Sequence, residues 1–115
     1  MKRIATTLLF FLSLSFISCS KDYDYEIGIN EQIVIELEHT GQGTGYDWYW
    51  DKKDNVLDSV SEEFIPYDEN MDGGPGIDRW IFVGVQKGTT TIRLNYKRPW
   101  ETTILEKKEY SVKVR

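Results

Sequence analysis

From Tyr25 to Val114 the apolar residues recur at every second position in short runs, with clusters of Gly, Asp, Asn or Pro separating one run from the next. A period of two sends alternate side chains to opposite faces of an extended strand, so each run can bury one face and leave the other to water. Ile33, Ile35 and Leu37 make one such face, with acidic Glu36 and Glu38 leaning the other way. Tyr25-Glu26-Ile27 reads as a shorter strand before it, and Tyr46, Trp48 and Trp50 as the next inward set. Further strands are expected from Val60 to Ile65, from Trp80 to Val85 and from Thr89 to Tyr96, with Tyr110, Val112 and Val114 closing the chain. After Cys19 no stretch sustains the three-and-four spacing of an amphipathic helix, so none is expected. Seven to eight short strands punctuated in this way predict an all-β chain folded as an immunoglobulin-like β-sandwich.

The first residues read differently. Lys2 and Arg3 precede an apolar run from Ile4 to Ile17, which is the organisation of a signal peptide over residues 1–18. That run is shorter than the ~20 residues of a usual membrane-spanning helix. Ser18 places a small residue before Cys19, which marks Cys19 as the lipid-modified first residue of an exported bacterial lipoprotein, with residues 19–24 as its tether. Ser20-Lys21-Asp22-Tyr23-Asp24 resembles the export signal of surface lipoproteins, and the expected location is the outer membrane or cell surface. An ordinary secretory signal with an incidental cysteine is the alternative. Two or three acyl chains, each contributing ~0.8 kcal/mol per buried methylene, suffice to hold a protein on a bilayer.

Cys19 is the only cysteine, so no internal disulfide can form and the domain, residues 25–115, must be held by its core. The part of the chain after Cys19, roughly 95 residues, suits one domain. The formal charge of −5 becomes more negative once Lys2 and Arg3 are set aside. That balance excludes a phosphate-binding surface, which needs clustered Lys and Arg, and so excludes nucleic acid as a partner. His39 is the only histidine, and no nucleophile, base and carboxylate set is evident; no enzyme and no cofactor is expected.

Three connections exceed ordinary turns. Residues 40–45 carry Gly41, Gly43 and Gly45; residues 66–79 contain Gly73-Gly74-Pro75-Gly76; residues 98–107 begin at Arg98-Pro99-Trp100. In a sandwich these can lie together at one end, where loops on a rigid scaffold form a recognition surface. Here the chain resembles the chagasin family of inhibitors of papain-like cysteine proteases. The family signature Asn-Pro-Thr-Thr-Gly-Tyr-x-Trp is matched in its second half by Thr44-Gly45-Tyr46-Asp47-Trp48. A Gly-x-Gly-Gly motif followed by two alternating aromatics is matched by Gly73 to Gly76 and by Trp80 and Phe82. Tyr-x-Arg-Pro-Trp-Glu is matched without gaps by Tyr96-Lys97-Arg98-Pro99-Trp100-Glu101.

The resemblance implies an immunoglobulin-like fold whose three loops enter a protease cleft, acting as a monomer on a host, competitor or endogenous enzyme. It implies contact through Thr44, Gly45 and Tyr46, through Gly73, Gly74 and Gly76, and through Arg98, Pro99 and Trp100. Two departures matter. Gly41-Gln42-Gly43 stands where the family has Asn-Pro-Thr, so the central loop lacks a proline that would fix its backbone, and Pro75 removes one backbone donor from the second loop.

Each motif also has a plainer reading. Trp48, Trp80 and Phe82, and with them Tyr46, alternate as core residues do. Arg98 can brace its own loop through a carbonyl or Glu101, and Thr44 and the glycines can serve turn chemistry alone. Asp68, Asn70 and Asp72, followed by Gly73, fit the first half of a calcium loop, but the twelfth position is Arg79 and not a carboxylate. A surface adhesion or ligand-binding module, with the loop aromatics as its platform, is the alternative function.

Overall fold

The computed structural model describes residues 22–115; the expected signal peptide, 1–18, Cys19, and Ser20 and Lys21 of the expected tether lie outside the described residues. Seven strands follow one another: β1 (Tyr25–Ile27), β2 (Gln32–His39), β3 (Asp47–Trp50), β4 (Leu57–Pro66), β5 (Gly76–Gly84), β6 (Gly88–Lys97) and β7 (Glu106–Val114). They form two sheets, one in the order β1-β7-β6-β3 and the other β2-β5-β4. Only the β1/β7 pair is parallel, with Tyr25 opposite Val112. The immunoglobulin-like sandwich expected from the period-two pattern is the observed architecture.

The alternation sorts the side chains as expected. Ile33, Ile35 and Leu37 of β2 are buried, as are Ile92, Leu94 and Tyr96 of β6 and Val112 and Val114 of β7. Phe82, with no exposed surface, lies at the centre, its ring stacked on Trp80 at 5.7 Å and met edge-on by Trp50 at 4.9 Å. Trp48 packs on Tyr96 at 4.8 Å and donates its indole N–H to the Glu38 carbonyl at 3.0 Å, tying one sheet to the other. A buried indole needs such a partner, and the Glu38 carbonyl provides it.

Two strands are longer than expected. β4 starts at Leu57, not Val60, because its register shifts between Ser59 and Ser61 and the bulge breaks the alternation there. β5 starts at Gly76, not Trp80, and runs back through Asp78. The second connection is therefore residues 67–75, shorter than the expected 66–79. The third, residues 98–105, ends where β7 begins at Glu106.

Candidate functional site

The ends of β2, β4 and β6 and the starts of β3, β5 and β7 lie at one end of the sandwich. His39 pairs with Gly76, Gly76 with Pro66, and Lys97 with Asp47. The loops 40–46, 67–75 and 98–105 are thereby gathered on one edge, with 40–46 between the other two.

The central loop is a built turn. Residues Gln42–Thr44 form a single turn of 3-10 helix, entered through Gly41 at φ 122° and left through Gly45 at φ 83° in the left-handed region. The Thr44 hydroxyl donates to the Gly41 carbonyl at 2.7 Å, and the Gly41 amide donates to His39 Nδ1 at 2.9 Å. The Thr40 amide donates to the Tyr96 hydroxyl at 2.8 Å, so the loop is anchored to the core from its first residue. These bonds supply the order that the missing proline would have given. They also turn the Thr44 hydroxyl inward, leaving the crest of the turn exposed.

Glycine at 41 is required by the neighbouring loop. A Cβ there would lie 2.3 Å from the Gly73 carbonyl oxygen and 2.9 Å from atoms of Gly74. Gly45 plays the same part on the other side, where a Cβ would lie 2.6 Å from the Trp100 ring. The Gly41-Gln42-Gly43 departure thus lets the central loop press its backbone against that of 67–75.

Arg98 ties the central and third loops together. Its Nε donates to the Thr44 carbonyl at 3.0 Å, its guanidinium lies 4.3 Å from the centre of the Tyr46 ring, and Nη1 is 3.7 Å from Glu101 Oε1. Tyr46 is half-buried, stacked on Tyr96 at 5.4 Å, so it supports the arginine more than it faces outward. Beyond them Trp100 is 70% exposed although its ring edge rests over Gly45, and Pro99 is exposed beside it.

The second loop departs from expectation. Gly76 is buried in β5, hydrogen-bonded between β2 and β4, and a Cβ there would lie 2.3 Å from the Ile65 carbonyl oxygen. The central strand of a sheet has no backbone edge to offer, so Gly76 is a packing glycine and not a contact residue. Gly74 is buried too, its amide donating to the Met71 carbonyl at 3.3 Å. Gly73 alone of the three is exposed. In the half-motif for calcium, the Asp68 carboxylate accepts the Asn70 amide at 3.0 Å, a local turn contact.

Sequence reasoning missed Tyr67, Met71 and Leu105, which are 62%, 53% and 59% exposed on the flanking loops. Their signal was an apolar residue in a stretch otherwise made of turn formers. It also missed an acidic group directly under the edge. Asp47, Glu62 and Asp78 each place a carboxylate oxygen within 4.8 Å of the others, and His39 Nε2 lies 3.4 Å from Asp47 Oδ1. Asp78 is fully buried, with Oδ2 accepting the Trp80 indole N–H at 3.1 Å. Withdrawal from water, then the hydrogen bond to Asp78, then the charges of Asp78 and Asp47 push Glu62 up to about 7. Burial raises Asp78 as well.

Comparison with known proteins falls on this same span. The family described as chagasin family peptidase inhibitor I42 matches residues 26–114, from the second residue of β1 to the last of β7 with all three loops between. Amoebiasin-2 of Entamoeba histolytica is 37% identical over 78 residues, which are 65% of this chain and 62% of that protein, so the chain spans less than two thirds of this relative's length. The crystal structure of the cysteine protease inhibitor EhICP2 from Entamoeba histolytica superposes with a TM-score of 0.63 at 29% identity, covering 79% of this chain and 97% of that one. Leishmania mexicana ICP shares the fold at a TM-score of 0.55 and 24% identity, covering 83% and 90%. With the family match spanning the whole sandwich and its loop edge, the chain belongs to the chagasin family of peptidase inhibitors.

Proposed function

We propose that this chain inhibits papain-like cysteine proteases by seating its three-loop edge in the active-site cleft. The observation that carries the reading is the fastening of the edge: the 40–46 loop is pressed against 67–75 at Gly41 and bonded to 98–105 through Arg98, while Trp100 stands 70% exposed. A tryptophan that supporting contacts hold in water has its ordering cost met before binding, which suits an interface anchor. The similarity to a cysteine protease inhibitor at 29% identity supports the choice of target class.

In this reading the crest at Thr44 and Gly45 covers the catalytic Cys and His of the enzyme. The crest is a 3-10 turn with its own hydrogen bonds, not an extended peptide, so it presents no peptide bond in the geometry of a substrate. Gly73, Tyr67 and Met71 flank it on one side and Arg98, Pro99 and Trp100 on the other. Lipidation at Cys19 would hold the domain on the outer membrane or cell surface, the short tether leaving the loop edge free to meet a protease arriving from outside.

The test is titration of residues 20–115 against papain, following hydrolysis of a small fluorogenic substrate. Competitive inhibition is expected, and Trp100→Ala should weaken it by roughly 30-fold, the ~2 kcal/mol of an interface anchor. Absence of inhibition at tens of micromolar, or a Trp100→Ala variant as potent as the parent, would overturn the reading.

A further inference from the structure

His39 and Asp47 stand on either side of the neck of the central loop, one closing β2 and the other opening β3, in different sheets. The His39 ring fills that neck. It is the only histidine of the chain, and its side chain is 2% exposed, with Phe64 edge-on to it at 5.0 Å and Tyr96 at 5.5 Å. A ring packed between two others keeps one orientation, so its nitrogens point where the core directs them. Nδ1 accepts the Gly41 amide at 2.9 Å, and Nε2 faces Asp47 Oδ1 across 3.4 Å. Turned over, the ring would present carbon to both partners.

Only one form of the ring can do this. A nitrogen that accepts an N–H carries no proton, so the proton of the neutral imidazole sits on Nε2. The surroundings favour the same tautomer, because Asp47, Glu62 and Asp78 gather carboxyl oxygens within 4.8 Å of one another on that side, where a lone pair would be repelled. Asp47 is itself held by the Trp48 amide at 2.8 Å. Order thus passes from β3 through Asp47 and His39 to Gly41. That residue is buried, and its backbone is the part of the loop that meets Gly73 and Gly74. Deprived of its acceptor, a buried N–H has to turn towards water, and the turn would carry the backbone away from the 67–75 loop.

We propose that His39 is the positioning residue of the inhibitory edge: its neutral ring clasps the neck of the 40–46 loop and fixes the turn at Gly41, in place of the proline that this loop lacks. It touches no protease and acts through the Gly41 backbone. Its effect on inhibition rests on the inhibitor reading above; the clasp itself rests on the geometry of the neck.

The experiment uses the full chain, without a histidine tag, in mild detergent. As the sole histidine, His39 gives one pair of imidazole nitrogen resonances. At mildly alkaline pH, where imidazoles are neutral, these should show Nδ1 bare and the proton on Nε2. Two variants then separate the acceptor from the packing. His39→Leu fills the space but offers no acceptor, whereas His39→Asn gives up the ring and keeps an oxygen near the position of Nδ1. In His39→Leu the Gly41 amide should exchange with solvent about tenfold faster than in the parent, and papain inhibition should be about tenfold weaker, as for a buried donor left unpaired. His39→Asn should recover most of both, although it opens the larger gap beneath the loop and melts no higher than His39→Leu. A proton found on Nδ1 overturns the proposal whether or not either variant folds. So does a Gly41 amide that exchanges equally in all three proteins, or inhibition that follows the melting midpoints, with His39→Asn as weak as His39→Leu. A parent that leaves papain uninhibited would remove the inhibitor reading alone, and the tautomer and the exchange would still decide for or against the clasp.

Discussion

Arg98 is the residue on which the geometry of the edge turns, because one planar guanidinium faces the Thr44 carbonyl, the Tyr46 ring and Glu101 at once. A lysine has neither the plane nor the fork to do this. Arg98→Lys should therefore leave the unfolding midpoint nearly unchanged while weakening inhibition about tenfold, the ~1.5 kcal/mol of a charge-assisted hydrogen bond; equal potency of the two proteins would remove Arg98 from the account. Glu62 gives a residue-scale prediction of another kind. Raised from 4.5 to about 7 in the folded chain, it holds its proton more tightly there than in the unfolded chain. The stability it contributes is complete below 4.5 and is lost as pH rises through about 7. Thermal unfolding followed across that window should show the parent falling in midpoint relative to Glu62→Gln, whose profile is flatter. Parallel profiles would mean that Glu62 titrates alike in both states.

At the scale of the elements, β2, β6 and β7 were legible because their inward residues, such as Ile33, Leu94 and Val112, alternate without interruption. β5 was legible only in its second half. Asp78 occupies an inward position and reads as polar, so the alternation looked to begin at Trp80, and Gly73-Gly74-Pro75-Gly76 looked like one continuous turn. Gly76 is a strand residue all the same, since the approach of the Ile65 carbonyl leaves no space for a side chain. Gly76→Ala should accordingly destabilise the β4/β5 hairpin by about 1–3 kcal/mol, as overpacking does, and weaken inhibition by displacing the 67–75 loop; circular dichroism melts beside the protease assay would check both. A variant with the parent's midpoint would mean that the hairpin yields more readily than its register suggests. The β4 edge is short of the same clarity because its bulge at Ser59/Ser61 resets the period, and that irregularity also blunts an edge strand against pairing with other chains.

For the whole molecule, the three motifs of the resemblance fall together because of the sandwich: the loops that carry them connect strands at the same end. What no motif displayed was the acidic group below it, since Asp47, Glu62 and Asp78 are far apart in sequence and become neighbours only through strand register across both sheets. Cohesion without any disulfide also belongs to this scale. The core around Phe82, with Trp48, Trp80 and Tyr96, holds the domain, and the sole cysteine precedes the described residues. The unfolding midpoint and the inhibition of papain should both be the same with and without millimolar dithiothreitol, the condition in which thiol proteases are active. A midpoint that drops on reduction would reveal a bond between chains through Cys19.

The close contact of Gly41 with Gly73 and Gly74 has a bearing on descent. Neither loop can acquire a side chain at the point of contact unless the other recedes, and the Thr44 carbonyl that receives Arg98 belongs to the same turn. Changes in one loop are therefore accepted or rejected according to the state of the next. Lineages that diversify this edge have to alter it in concert, and a chimaera that borrows one loop from a relative inherits a mismatch at its neighbours.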